Sequence, residues 1–331
     1  MNPVRLGIIG CGIAARDLHL PALQKMTDRF QITAVCNHTE PKAKDFAARV
    51  GGVDYMLDYR ELLRRPDIEA VDIALPIQFN YSVTRAALIA GKHVFLEKPL
   101  AHSRRHARRM LTFPVKFPRV MMVAENFRYR PLYHRVKQLL YEGVIGQVFA
   151  ANWQLFMYVH PETNKYAQTE WRIHHQYPGG FITDGGVHNI AVFRLLFSEI
   201  RTVSARAQSI NPTIGQLDTL SLQFTTEQNV IGNFQLFFSA NGHSENRLLI
   251  IGREGTLIIE DNQIILKKEG HSEKTEVVED DGGYQAEFED FYQAVRYGKP
   301  VLSTFGEAFR DLEVILAALK SVTAGKTVRL V

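Results

Sequence analysis

The chain has 331 residues, 46% hydrophobic and 22% charged, with a formal net charge of +4; this suits a globular protein of about two domains with a large core. The positive charge is spread along the chain, with no basic block beyond Arg104-Arg105 and Arg108-Arg109, so no nucleic-acid partner is expected. No apolar run reaches the roughly 18 residues of a membrane helix, two cysteines (Cys11 and Cys36) make neither a disulfide scaffold nor a metal motif, and Met1-Asn2-Pro3 leads straight into a strand-like run, so a cytoplasmic protein without signal peptide is expected.

The first third alternates two periodicities. Val4–Ile9 is an apolar β-type run, followed by a glycine-rich turn and a helical stretch over Ala14–Lys25. Gln31–Cys36 predicts a second strand and Pro41–Val50 a helix, with Ala43, Phe46 and Ala47 at helical spacing. Tyr59–Leu63 reads as a short helix, Ala70–Ala74 as a buried strand, Tyr81–Ala90 as a helix closed by Gly91, and His93–Leu96 as another strand. Such alternation implies parallel pairing through right-handed crossovers, hence a doubly wound parallel sheet over residues 1–125.

The pattern changes over residues 126–331. Leu132–Tyr141 is an amphipathic helix, followed by strand-like segments at Val148–Tyr158, Thr202–Ala207, Thr219–Phe224, Val230–Phe238, Arg247–Ile251, Thr256–Glu260 and Gln263–Lys267. Turn signals such as Asn241-Gly242 and Glu254-Gly255 favour hairpins and a mostly antiparallel sheet in an α+β domain. Helices over Tyr284–Tyr297 and Thr304–Thr323 close the chain.

Three places carry chemistry. Gly10-Cys11-Gly12-Ile13-Ala14-Ala15 fits G-x-G-x-x-G/A between a strand and a helix. Gly10 permits the tight turn, Gly12 lets backbone approach a pyrophosphate, and the helix N-terminus attracts its charge. At the end of the second strand, Cys36-Asn37-His38-Thr39 lacks the acid that bonds adenosine ribose. Asn37 either caps the next helix beside a plain ribose or, being uncharged, admits a 2′-phosphate with donors from His38, Thr39 and Lys42; electrostatics favours NADP(H) over NAD(H).

Lys98 stands where a strand meets its loop, since Pro99 cannot continue the ladder. Beyond the carboxyl end of a parallel strand, a lysine either points into the cofactor region and favours alkoxide charge or is solvated. In Gly179–His188, a helix starting near Asp184 puts Asp184 and His188 on one face. The pair can move a hydroxyl proton, or Asp184 can be an N-cap and His188 a buried polar residue. No H-x-x-H or H-E-x-x-H spacing is found, so no metal site is expected.

These features in this order resemble the Gfo/Idh/MocA oxidoreductase family. The glycine turn, Ala90-Gly91-Lys92-His93-Val94 before Glu97-Lys98-Pro99, the Gly180…Asp184…His188 segment, Trp171-Arg172, and Asn126 to Pro131 carry the resemblance, which spans essentially the whole chain. It implies a Rossmann domain and an α/β domain whose large open sheet supports a homodimer or homotetramer. It also implies Lys98 as the catalytic lysine and His188, with Asp184 beside it, as proton donor or acceptor. The cofactor would meet Gly10, Gly12, Ile13, Ala14, Asn37, His38, Pro76, Glu97 and Lys98. A sugar, cyclitol or derivative would meet Arg128, Tyr158, Trp171, Arg172 and His188, with Tyr129, Tyr177 and Asn189 near them. The chain departs from the pattern at Leu75 and Asn80, around Pro76, and at Ala191, where the family often has threonine, histidine and aspartate. Alternative readings are a glycoside hydrolase using NAD in transient redox, and a non-catalytic dinucleotide-binding regulator.

Overall fold

A computed structural model describes residues 2–330. They divide into two compact units, Met1–Asn126 with Gly283–Phe309, and Phe127–Gly282 with Arg310–Val331. The first boundary falls at 126/127, next to the expected 125/126, and a late segment, Gly283–Phe309, groups with the first unit.

The first unit runs β1 (Val4–Ile9), α1 (Leu20–Gln24), β2 (Phe30–Cys36), α2 (Glu40–Arg49), β3 (Asp54–Met56), α3 (Tyr59–Arg64), β4 (Ala70–Ile73), α4 (Asn80–Ile89), β5 (His93–Glu97), α5 (Arg104–Met110), α6 (Phe113–Lys116) and β6 (Met121–Ala124). All six strands are parallel, in the order β3-β2-β1-β4-β5-β6. This is the Rossmann arrangement, and the order reverses at β1, where ligands bind beyond the carboxyl ends of the strands. β4 and β6 are buried at every position, as strands covered on both faces are.

The second unit holds α7 (Pro131–Tyr141), β7 (Val148–Phe156), α8 (Glu170–Ile173), α9 (Gly180–Phe197), β8 (Ile200–Gln208), β9 (Thr219–Thr226), β10 (Ile231–Phe237), β11 (Glu245–Gly252), β12 (Gly255–Glu260), β13 (Gln263–Lys267) and β14 (Lys274–Val277). Then α10 (Tyr284–Tyr297) belongs to the first unit, α11 (Phe305–Ala324) begins there and continues in the second, and β15 (Val328–Arg329) ends the sheet. The nine strands lie in the order β14-β13-β12-β11-β7-β10-β9-β8-β15. β7 and β10 pair in parallel and the other neighbours antiparallel. The sheet is mostly antiparallel, as the hairpin signals imply.

α9 packs along this sheet. Phe193 sits edge-on to Trp153, Phe224 and Phe234, with ring centroids 5.5, 4.7 and 5.9 Å away. A Cβ on Gly186 would stand 3.2 Å from Ile315 and 3.3 Å from Leu236, so the glycine lets helix, α11 and sheet approach closely. α9 begins at Gly180, after Gly179 in the left-handed conformation at φ +82°. Asp184 is therefore an interior position and not the N-cap the sequence suggested. Among the described residues no helix is long and apolar enough to cross a membrane.

Candidate active site

The glycine turn is built by exclusion. Gly10 has φ +103°, and a Cβ there would run into the Ala74 carbonyl oxygen; no other residue fits. Its N–H donates to the Cys36 carbonyl at 2.8 Å. Gly12 is exposed, and a Cβ on it would meet nothing within 4 Å. Open space above the turn, half-buried Ile13 and Ala14 behind it, and the opening of a helix are what a pyrophosphate requires. These residues fit a dinucleotide.

Asn37 supports the turn itself: its Oδ1 accepts from the Cys11 N–H at 3.3 Å and its Nδ2 donates to the Thr39 carbonyl at 3.2 Å. His38 and Lys42 are exposed beside it. Burial pushes the Cys11 and Cys36 thiols up to about 12, so neither is a nucleophile near neutrality. Pro76 leads the short turn Ile77–Phe79, its carbonyl accepting from the Phe79 N–H at 2.9 Å.

Lys98 follows β5 and is joined to Pro99 by a cis peptide bond. Asn80, fully buried at the start of α4, donates through Nδ2 to the carbonyls of Glu97 (3.0 Å) and Pro99 (2.8 Å). The departure from the family pattern at Asn80 is thus a clamp on the backbone either side of Lys98. Behind it, His19 Nδ1 lies 2.8 Å from Asp72 Oδ2 and His19 Nε2 lies 3.1 Å from Glu97 Oε1. Burial alone would lower the affinity of His19 for its proton, but the two carboxylates outweigh that and raise it well above the ordinary histidine value. Sequence reading missed this group; the only local signal was an aspartate inside the apolar strand Ala70–Ile73.

In the second unit, Arg172 Nε donates to Asp184 Oδ2 at 2.7 Å, and its guanidinium lies 4.0 Å from the Trp171 ring centroid and 5.0 Å from that of Tyr166. A planar cation between two aromatic faces is held in one orientation. His188, one turn after Asp184, stacks on Phe127 at 4.6 Å and 23°. Burial, then the charge of Asp184, raises the pKa of the Tyr177 hydroxyl despite Arg172. Arg172, expected at the substrate, is thus first the partner of Asp184.

Tyr158 is 42% exposed and stacks on His160 at 5.9 Å, so its face is available. Arg128, expected at the substrate, is 3% exposed and its Nη2 donates to both oxygens of Asp311 at 2.7 and 2.8 Å, a buried ion pair. Tyr129 and Asn189 are buried as well. The structure thus brings Trp171, Arg172, Asp184 and Tyr177 together in one unit, while the glycine turn, Asn37, Pro76, Glu97 and Lys98 belong to the other. Among the described residues no group of three or more His, Cys, Asp or Glu is placed to hold a metal.

Residues 4–125 match the family model described as an oxidoreductase family with an NAD-binding Rossmann fold, and residues 133–258 match the GFO/IDH/MocA C-terminal domain. An uncharacterised protein of Saccharomyces cerevisiae is 34% identical over 97% of this chain and 96% of its own length. An inositol 2-dehydrogenase/D-chiro-inositol 3-dehydrogenase of Lactiplantibacillus plantarum is 26% identical over 96% and 91%. The crystal structure of an oxidoreductase from Thermotoga maritima superposes with a TM-score of 0.93, at 38% identity over 99% of this chain and 98% of that one.

Proposed function

The chain belongs to the Gfo/Idh/MocA oxidoreductase family, and from that premise we propose that it works on a secondary alcohol or ketone of a sugar, cyclitol or derivative. Bound nicotinamide dinucleotide, NADP(H) in preference to NAD(H), would supply or accept the hydride. The observation that carries this reading is the Arg172–Asp184 ion pair one helical turn before His188: an acid–base histidine on a rigid helix, with its neighbouring carboxylate held in place. His188 moves the hydroxyl proton, its ring held flat on Phe127. Lys98, at the end of β5, favours negative charge on the substrate oxygen. Gly10, Gly12 and the helix start at Ile13 and Ala14 would hold the pyrophosphate, and Pro76 and Glu97 would serve the nicotinamide half.

The preference for NADP(H) rests on Asn37, whose amide is bonded to the turn, so that no carboxylate stands at the end of β2 to repel a 2′-phosphate. Exposed His38 and Lys42 are the donors. The polyol class is supported by the similarity to the L. plantarum enzyme and by the exposed aromatic ring of Tyr158, with Trp171 and Arg172 as further sugar-stacking and hydrogen-bonding groups. A homodimer or homotetramer formed by the open sheet completes the reading, and sedimentation is the test of it.

The test is a screen of cyclitols and sugars with NAD and NADP in both directions, following absorbance of the reduced dinucleotide. Lys98→Met and His188→Asn are expected to lower kcat by about 10²–10⁴ while dinucleotide still binds. Full turnover in both variants would sink the assignment.

A further inference from the structure

Around Glu97, the interior of the first unit holds further ionisable groups that this reaction does not use directly. His19 closes a π-type helical turn over Ala15–His19 and is 0% exposed. One ring nitrogen meets Asp72 on β4 and the other meets Glu97 at the end of β5, at 2.8 and 3.1 Å. The ring plane is fixed by edge-on contacts with Phe95 (5.6 Å, 74°) and with Phe288 of α10 (5.4 Å, 85°). Glu287 on α10 and Glu125 after β6 also act on this group of charges. A neutral imidazole can donate from only one nitrogen, so a ring set between two carboxylates meets both when it carries both protons.

The positions of the partners matter more than their number. His19 lies on the helix that the glycine turn opens, and Glu97 is the residue before Lys98. The bridge therefore ties the turn assigned to the pyrophosphate to the strand end that carries the lysine. π-type turns recur where a helix is locally widened to place a side chain. Here the widened turn sets an imidazole between two strands.

We propose that His19 is a positioning residue: by bridging Asp72 and Glu97 it fixes the Glu97 carboxylate and the backbone carrying Lys98, and so sets the charge field in which the lysine works. This rests on the assignment of Lys98 above. Without the ring, Glu97 keeps its negative charge and loses a cationic partner. Lys98 then sits in a more negative field and holds its proton more tightly.

The experiment is NMR on the full chain. Nitrogen-15 labelling of histidine reads the protonation of His19, assigned by loss of its signals in His19→Gln. Carbon-13 labelling of lysine Cε reads the titration of Lys98, assigned by loss in Lys98→Met. His19 is expected to stay doubly protonated at about pH 8, where an unperturbed histidine is neutral. In His19→Gln the Lys98 midpoint should rise by about one unit, roughly a tenfold change in the ratio of its charged and neutral forms. Phe46→Leu, at a buried aromatic of α2, should lower thermal stability and leave the Lys98 midpoint where it was. A neutral His19 at that pH in the unaltered protein would overturn the proposal, and so would an unmoved Lys98 midpoint in His19→Gln or an equal shift in Phe46→Leu. The first of these outcomes is read in the unaltered protein, and only its assignment draws on His19→Gln. If Lys98→Met keeps full turnover, the catalytic reading fails by itself, and the titrations still decide whether His19 positions Lys98.

Discussion

Glu287 carries a carboxyl group that is 0% exposed and whose two oxygens have no hydrogen-bond partner. Burial, joined by the charges of Glu97, Glu125 and Asp72 and opposed by His19, raises its pKa well above the usual carboxylate value. The unfolded chain releases this proton at about pH 4.3, and the folded chain keeps it to much higher pH. The folded state thus binds more protons across that window, and its stability falls as pH rises through it. Glu287→Gln retains the shape and removes the titration. The Tm difference between variant and parent is expected to be near zero at about pH 4 and to grow in favour of the variant toward about pH 8. The corresponding difference in unfolding free energy would change by at most about 1.4 kcal/mol per pH unit. A difference that stays flat over this range would mean the buried carboxyl is ionised. His19 has the same sign: its contribution is full below the ordinary histidine range and is lost as pH rises through its raised folded value.

At the scale of elements, helix α9 holds three glycines and an aspartate that disfavour helix, yet it runs from Gly180 to Phe197 because its apolar face is buried. Phe193→Ala removes the ring on which Trp153, Phe224 and Phe234 converge. Thermal or urea unfolding should register a loss of about 3–5 kcal/mol, and a loss below about 1 kcal/mol would contradict this packing. The same helix shows what a sequence can and cannot disclose. Its register was legible, placing Asp184 and His188 one turn apart. Its start was not, because Asp184 has the chemistry of an N-cap and the real start depends on the left-handed Gly179. Central strands such as Val4–Ile9 were legible as apolar runs, whereas β14 is exposed at each of its four positions and gives no periodic signal. The glycine turn can be read from one hexapeptide. The carboxylates on His19 lie 53 and 78 residues away in sequence, and only the fold brings them to the ring.

At the scale of the whole molecule, the first unit is discontinuous, because α10 returns to it from beyond the second unit's sheet. α10 supplies Phe288 and Phe291, both 0% exposed. Phe288 stacks on Phe95 at 4.4 Å and meets Phe30 at 5.6 Å, and Arg296 Nη2 binds Glu69 at 2.9 Å. A fragment ending at residue 126 lacks these contacts and is expected to show no cooperative melting transition. Residues 1–126 joined by a flexible linker to 283–309 should regain it, with calorimetry as the readout. A cooperative transition in the short fragment would refute this. On the ribosome the dinucleotide-binding half, although translated before the second unit's sheet, must wait for α10 beyond that sheet before its core can close. A newly made chain carries Phe95 of β5 without its α10 partner while the whole second sheet from β7 to β14 is made, and needs protection over that interval more than a protein whose domains mature in order.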